Sequence, residues 1–127
     1  MKKIIYFVLS VFISGNLNAQ EKKVLTAPEF EKAIKDENII LIDVRRPDEF
    51  KEGHIKGALN ANWQNLEAFK AKTARLDKTT PVYVYCLAGV RSQRAADYLL
   101  KNGFKQVIGL DGGIEAWSEA GKLLVKL

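Results

Sequence analysis

Val82-Tyr83-Val84-Tyr85 is a β-branched and aromatic run with Pro81 in front of it, and it reads as a short buried strand. From Ser92 onward the residues are helix formers, and Ala95, Ala96, Leu99 and Leu100 are spaced for one apolar face. Between strand and helix lie Cys86, Leu87, Ala88, Gly89, Val90 and Arg91, with a glycine where the chain must turn tightly. A strand-loop-helix of this kind aims successive backbone N–H groups, and the positive end of a helix, at one spot. Cys86, the only cysteine, stands at that spot, and Arg91 closes it. Helix N-termini and neighbouring cations favour the thiolate form of a cysteine. The stretch is therefore expected to hold a nucleophile in an anion cradle.

The remaining segments repeat the alternation. Thr26-Ala27-Pro28-Glu29 is a capping-box start, and Phe30, Ala33 and Ile34 give its helix a short apolar face ending near Asp36 to Asn38. Ile39 to Val44 is a continuous apolar run, as in a central strand buried on both faces, with Asp43 near its end. A proline turn leads into a short helix around Asp48 to Lys51, Gly57 to Ala61 reads as a short strand, and Leu66 to Leu76 as a surface helix. Phe104 to Leu110 is the next strand, Asp111-Gly112-Gly113 a tight turn, and Ile114 to Ala120 a last helix with Trp117 on its apolar side. Gln20 to Lys23 is read as a polar, loose lead. This predicts one three-layer α/β domain over residues 20–127, with a largely parallel central sheet flanked by helices.

Three stretches resemble one family. Cys86-Leu87-Ala88-Gly89-Val90-Arg91 resembles the C-x-x-G-x-R loop of the rhodanese-like sulfurtransferases. Asp43-Val44-Arg45 with Glu49 to Asn60, and Leu110-Asp111-Gly112-Gly113-Ile114-Glu115-Ala116-Trp117, resemble that family's flanking signatures in the same order. The resemblance implies a rhodanese-like fold and sulfur transfer by a ping-pong route. Cys86 is then the catalytic nucleophile, attacking the outer sulfur of a small anionic donor such as thiosulfate and carrying it as a persulfide. The N–H groups of Leu87, Ala88, Gly89, Val90, Arg91 and Ser92 would hold the terminal sulfur until cyanide or a thiol takes it. Asp43 and Arg45 are assigned supporting roles, because a carboxylate at that position would oppose an anionic substrate. Arg91 has two readings, holding substrate or bracing loop carbonyls. Some family members place basic or polar side chains where Leu87 and Ala88 stand, so thiosulfate is expected to be a poor donor here. No metal and no organic cofactor is implied. His54, the sole histidine, has no second ligand to form a metal site and is read as bonded to nearby backbone.

Loop length separates the competing chemistries. Protein tyrosine phosphatases place five residues between cysteine and arginine, whereas four separate Cys86 from Arg91 here, the shorter loop that goes with sulfur transfer. The alternatives are a small-oxyanion phosphatase or arsenate reductase, and a thiol- or sulfur-binding redox module without turnover. With one cysteine there is no internal disulfide and no Cys-x-x-Cys pair, so a redox module would need its resolving thiol on another protein. A net charge of +5 without a clustered basic face points away from nucleic acid. Lys2 and Lys3, the apolar run Ile4 to Ile13 and the small exit Ser14 to Ala19 read as a signal peptide, 1–19, cut after Ala19. The mature protein is expected to be exported, to the periplasm, and free of the membrane.

Overall fold

The computed structural model describes residues 19–127. The leader expected over 1–19 thus falls, but for its last residue, outside the described residues. Five strands form one sheet in the order β1-β5-β4-β2-β3, every neighbouring pair parallel: β1 Glu21–Leu25, β2 Ile40–Asp43, β3 Leu59–Asn60, β4 Val82–Tyr85 and β5 Gln106–Leu110. The helices are α1 Ala27–Ala33, α2 Pro47–Glu52, α3 Leu66–Thr73, α4 Val90–Lys101 and α5 Gly113–Glu119. The layered parallel α/β architecture is the expected one. None of the helices among the described residues is long and apolar enough to cross a membrane.

The expectation of a loose lead at Gln20 to Lys23 is corrected. Glu21 to Leu25 is a fifth strand, paired in register with Gln106 to Leu110, and Gln20 donates from its side-chain amide to the carbonyls of Leu100 and Phe104. A Glu-Lys-Lys sequence carries little strand preference of its own. The exposed edge of β5 offers a row of unpaired backbone groups, however, and an edge strand tolerates charged side chains because they face water. Helix α4 also begins earlier than its apolar pattern, at Val90 instead of Ser92, because Val90 is exposed and Arg91 turns to Glu49, so neither joins the buried stripe.

Period-2 alternation along β4 decides where the cysteine goes. Val82, Val84 and Cys86 face one side of the sheet, packing with Ala95, Ala96 and Leu99 of α4 and with Phe69 of α3. Tyr83 and Tyr85 face the other, where Phe30 of α1 and Ile114 and Trp117 of α5 cover them. Chain connections leave β2 and β4 in opposite directions across the sheet. The crevice beyond their carboxyl ends is therefore the switch point at which open α/β sheets bind ligands.

Phe30 is fully buried, with edge-to-face contacts to Tyr83 and Trp117 at centroid distances of 5.4 and 6.4 Å. Phe30→Ala is expected to lower stability by about 3–5 kcal/mol, read as a reduced urea midpoint with an unchanged slope.

Candidate active site

Immediately after β4 the chain leaves the sheet at Cys86 and enters α4 four residues later. Gly89 caps that helix at φ 121°, a conformation that L side chains rarely adopt and that turns its N–H back towards the cysteine. The result is a sulfur at the focus of the loop. Cys86 Sγ accepts from the Gly89 N–H at 3.1 Å and from the Ser92 N–H at 3.3 Å. Ser92 Oγ lies 3.4 Å from the same sulfur and donates to the Gly89 carbonyl at 3.0 Å, closing the ring. Two backbone donors and a helix N-terminus all place positive potential at Sγ, the arrangement that stabilises negative charge there. The residue is only 1% exposed, whereas Leu87 at 40% and Val90 at 66% flank the loop's outer surface. The Leu87 and Ala88 N–H groups make no hydrogen bond to the protein among the described residues.

Helix α5 holds the loop in this shape. The Cys86 and Leu87 carbonyls accept from the N–H groups of Ile114 at 2.9 Å and Glu115 at 3.1 Å. With their oxygens drawn outward, the two peptide units leave donors rather than acceptors facing the cradle. Such close approach requires Gly113: a Cβ there would lie 2.4 Å from the Leu87 oxygen, and its φ of +61° already favours glycine. The sequence reading took Asp111-Gly112-Gly113 as a turn and missed this brace; paired glycines opening a helix are the signal that points to it.

Arg91 does not brace the loop carbonyls, one of its two expected arrangements. Both arms of its guanidinium donate to Glu49 of α2, at 2.8 and 3.1 Å, and no loop carbonyl accepts from it. The Arg91 hydrogen bonds, aided by the Arg46 N–H and the charges of Arg91 and Arg46, hold the Glu49 carboxyl below its ordinary range despite burial. Glu49 was not singled out by its own chemistry, since an acid in a short exposed-looking helix carries no mark of its partner.

Deeper in the crevice, Asp43 is fully buried and accepts from the Arg45 N–H at 2.9 Å and from its guanidinium at 2.7 to 3.1 Å; the same guanidinium donates to the Gly53 carbonyl at 2.6 Å. Burial opposes charge on Arg45, but bonding to Asp43 outweighs it and holds the guanidinium above its ordinary range. Burial, and then the charge of Asp43, pushes the Tyr85 phenol far upward; its oxygen accepts from the Ile55 N–H. His54 donates from Nδ1 to the Phe50 carbonyl at 2.7 Å and stacks on the Phe50 ring. Its backbone forms an isolated bridge with Val125.

A model of the rhodanese-like domain matches residues 26–120. The chain belongs to the rhodanese-like family. Among curated proteins it is 38% identical over 98 residues to the thiosulfate sulfurtransferase GlpE of Shewanella oneidensis, covering 77% of this chain and 94% of that one. It is 40% identical over 84 residues to the GlpE of Coxiella burnetii, covering 66% and 76%. A crystal structure of a rhodanese-related protein from Thermoplasma volcanium superposes with a TM-score of 0.70 at 28% identity, covering 81% of this chain and 97% of that one. The three motifs that suggested the family in the sequence form one site in the fold. The loop supplies the sulfur, the glycine turn braces its carbonyls, and the Asp43 to Asn60 stretch supplies Glu49 and the buried Asp43–Arg45 pair.

Beside this rhodanese-like loop runs an open cleft of about 540 Å³, bounded by Arg45, Glu52, Leu87, Glu115, Glu119 and Leu124 among others.

Two predictions follow from how the loop is held. Gly113→Ala should push the loop off α5, lowering the melting temperature and raising the rate at which iodoacetamide alkylates Cys86; an unchanged alkylation rate would show that the brace does not set the loop. The Glu49–Arg91 link has a defined pH window. Because the folded Glu49 carboxyl lies below its ordinary 4.5, its stabilisation is complete above that value and is lost as pH falls through the lowered one. The stability difference between wild type and Glu49→Gln, from urea midpoints, is therefore expected at neutral pH and should fade as pH falls below 4.5 and through the lowered value.

Proposed function

We propose that the protein is a rhodanese-type sulfurtransferase that moves a sulfane sulfur, through a persulfide on Cys86, from a donor such as thiosulfate to cyanide or a thiol. The observation that carries this reading is the convergence of the Gly89 and Ser92 N–H groups on Cys86 Sγ. In the first half-reaction the Cys86 thiolate attacks the outer sulfur of thiosulfate. A new S–S bond forms, the donor's S–S bond breaks, and sulfite leaves with its electron pair. The added sulfur projects from Cys86 towards the mouth of the loop, where the N–H groups of Leu87 and Ala88 remain available to its negative charge. In the second half-reaction the acceptor takes that sulfur and Cys86 leaves as thiolate. The names of the Shewanella and Coxiella relatives support the same chemistry.

Commitment of Arg91 to Glu49 weighs against the oxyanion reading. A phosphatase or arsenate reductase needs a free guanidinium over its anion, and this one is already neutralised by a carboxylate. The same fact, with apolar Leu87 and Ala88 on the loop, disfavours a dianion and supports slow turnover with thiosulfate. The absence of a second cysteine in the chain weighs against a self-contained redox module. The leader-like residues 1–19 support an exported, periplasmic location.

Cys86→Ser is the direct test. A hydroxyl is close in size but a far weaker nucleophile at neutral pH, so thiocyanate formation from thiosulfate and cyanide is expected to vanish while the fold is kept. Mass spectrometry of the wild type after incubation with donor is expected to show one added sulfur on Cys86. Retained activity in the serine variant would place the nucleophile elsewhere.

A further inference from the structure

The cleft beside the loop opposes the charge of the chain that carries it. The chain is net positive at +5, yet the charged side chains bounding this cleft are Arg45 and the four carboxylates Glu49, Glu52, Glu115 and Glu119. Two of these charges are already cancelled. Arg45 is held by Asp43, and Glu49 by Arg91. Glu52, Glu115 and Glu119 take part in none of the ion pairs among the described residues, and all three are exposed. The uncompensated charge of the cleft is therefore negative and sits on two walls. Glu52 ends α2, while Glu115 and Glu119, one helical turn apart, share a face of α5. Leu87 and Leu124, 40% and 37% exposed, add an apolar lining between the walls.

Leu87 ties the cleft to the chemistry. It follows Cys86 directly, and α5 holds both the loop and two of the carboxylates through the Ile114 and Glu115 N–H groups. Any acceptor reaching an outer sulfur on Cys86 from this side passes the acidic walls. An attacking thiolate is an anion, and so is the persulfide it approaches. Added carboxylates raise the repulsion further unless the carrier of the thiol brings positive charge. One ammonium group would neutralise one wall only. Three carboxylates on two walls, in an open volume of about 540 Å³, match a carrier with cations on both sides of its thiol.

We infer that the acceptor is a cysteine within a basic polypeptide segment, which lays lysine or arginine side chains against Glu52, Glu115 and Glu119 while its thiol reaches the sulfur on Cys86. The inference rests on the sulfurtransferase reading above. The step balances as a transfer of sulfane sulfur. The acceptor thiolate forms an S–S bond to the outer sulfur, the Cys86 S–S bond breaks with its electron pair returning to Sγ, and the acceptor leaves as a persulfide. No oxidant or reductant is consumed.

The test uses the full chain loaded with sulfur on Cys86, the loading verified by mass. Blocked tripeptides Lys-Cys-Lys, Gly-Cys-Gly and Glu-Cys-Glu, together with the small amine thiol cysteamine, are compared as acceptors by the rate at which the added sulfur leaves. At low ionic strength the lysine peptide is expected to react at least about tenfold faster than the glutamate peptide. That advantage should shrink towards unity in about 0.5 M salt and in a Glu115→Gln/Glu119→Gln double variant, with Glu52→Gln as an independent second variant. Salt should act with opposite sign on the anionic acceptors, speeding transfer to the glutamate peptide and to cyanide by screening repulsion. Equal rates for the three peptides would overturn the inference. Cysteamine matching the lysine peptide would also overturn it, assigning the cleft to a small amine thiol instead. If no donor adds sulfur to Cys86 in the first place, the sulfurtransferase reading falls, and this inference falls with it.

Discussion

The site depends on two backbone hydrogen bonds that involve no side chain. Ile114 and Glu115 donate to the carbonyls of Cys86 and Leu87, and so decide which way two peptide units of the loop face. Were those oxygens turned inward, acceptors would surround the sulfur and oppose its negative charge; turned outward, the same two peptide units leave the Leu87 and Ala88 N–H groups to the cradle, beside the Gly89 and Ser92 N–H groups already bonded to Sγ. The brace operates only because Gly113 has no Cβ, so that the start of α5 can lie against the loop. Two signatures, Cys86 to Arg91 and Leu110 to Trp117, are thus one device, which is a physical reason for the loop and the glycine turn to occur together.

Charge is distributed in the same spirit. Arg45 and Arg91, which stand in two of the three family-like motifs, are each bound to a carboxylate, Asp43 and Glu49. Arg91 ties α2 to the start of α4, and Arg45 ties the end of β2 to the Gly53 carbonyl after α2. A buried guanidinium left without Asp43 would be costly, so this pair acts as a structural lock more than as a source of net stability. Little net positive charge then remains from side chains, and backbone dipoles supply the local potential. The two backbone N–H groups concentrate that potential on a single atom, Cys86 Sγ.

The chain's end contributes to that mouth. Val125 pairs with His54 in a short antiparallel bridge, Leu127 donates to the Lys51 carbonyl, and the Trp117 indole donates to Leu123. These contacts lay the tail along α2, the helix that carries Glu49, and bring Leu124 to the cleft wall. His54, the only histidine, takes part through its backbone, through its Nδ1 bond to the Phe50 carbonyl and by stacking on Phe50.

Much of this was legible in the sequence because it is local. The alternation along Val82 to Cys86, the capping box at Thr26, and the glycine between Cys86 and α4 are short-range consequences of pleat, cap and φ, and they specified a strand-loop-helix with a cysteine at its focus. What tertiary structure alone decided was partnership across distance. Glu21 to Leu25 became a strand only because the edge of β5 stood open, Arg91 turned to Glu49 forty-two residues away, and the Leu87 carbonyl found the amide of Glu115. Backbone groups and flexible charged side chains look alike in every sequence context. Their choice among many possible partners is made by the geometry of the packed sheet and helices, not by local preference.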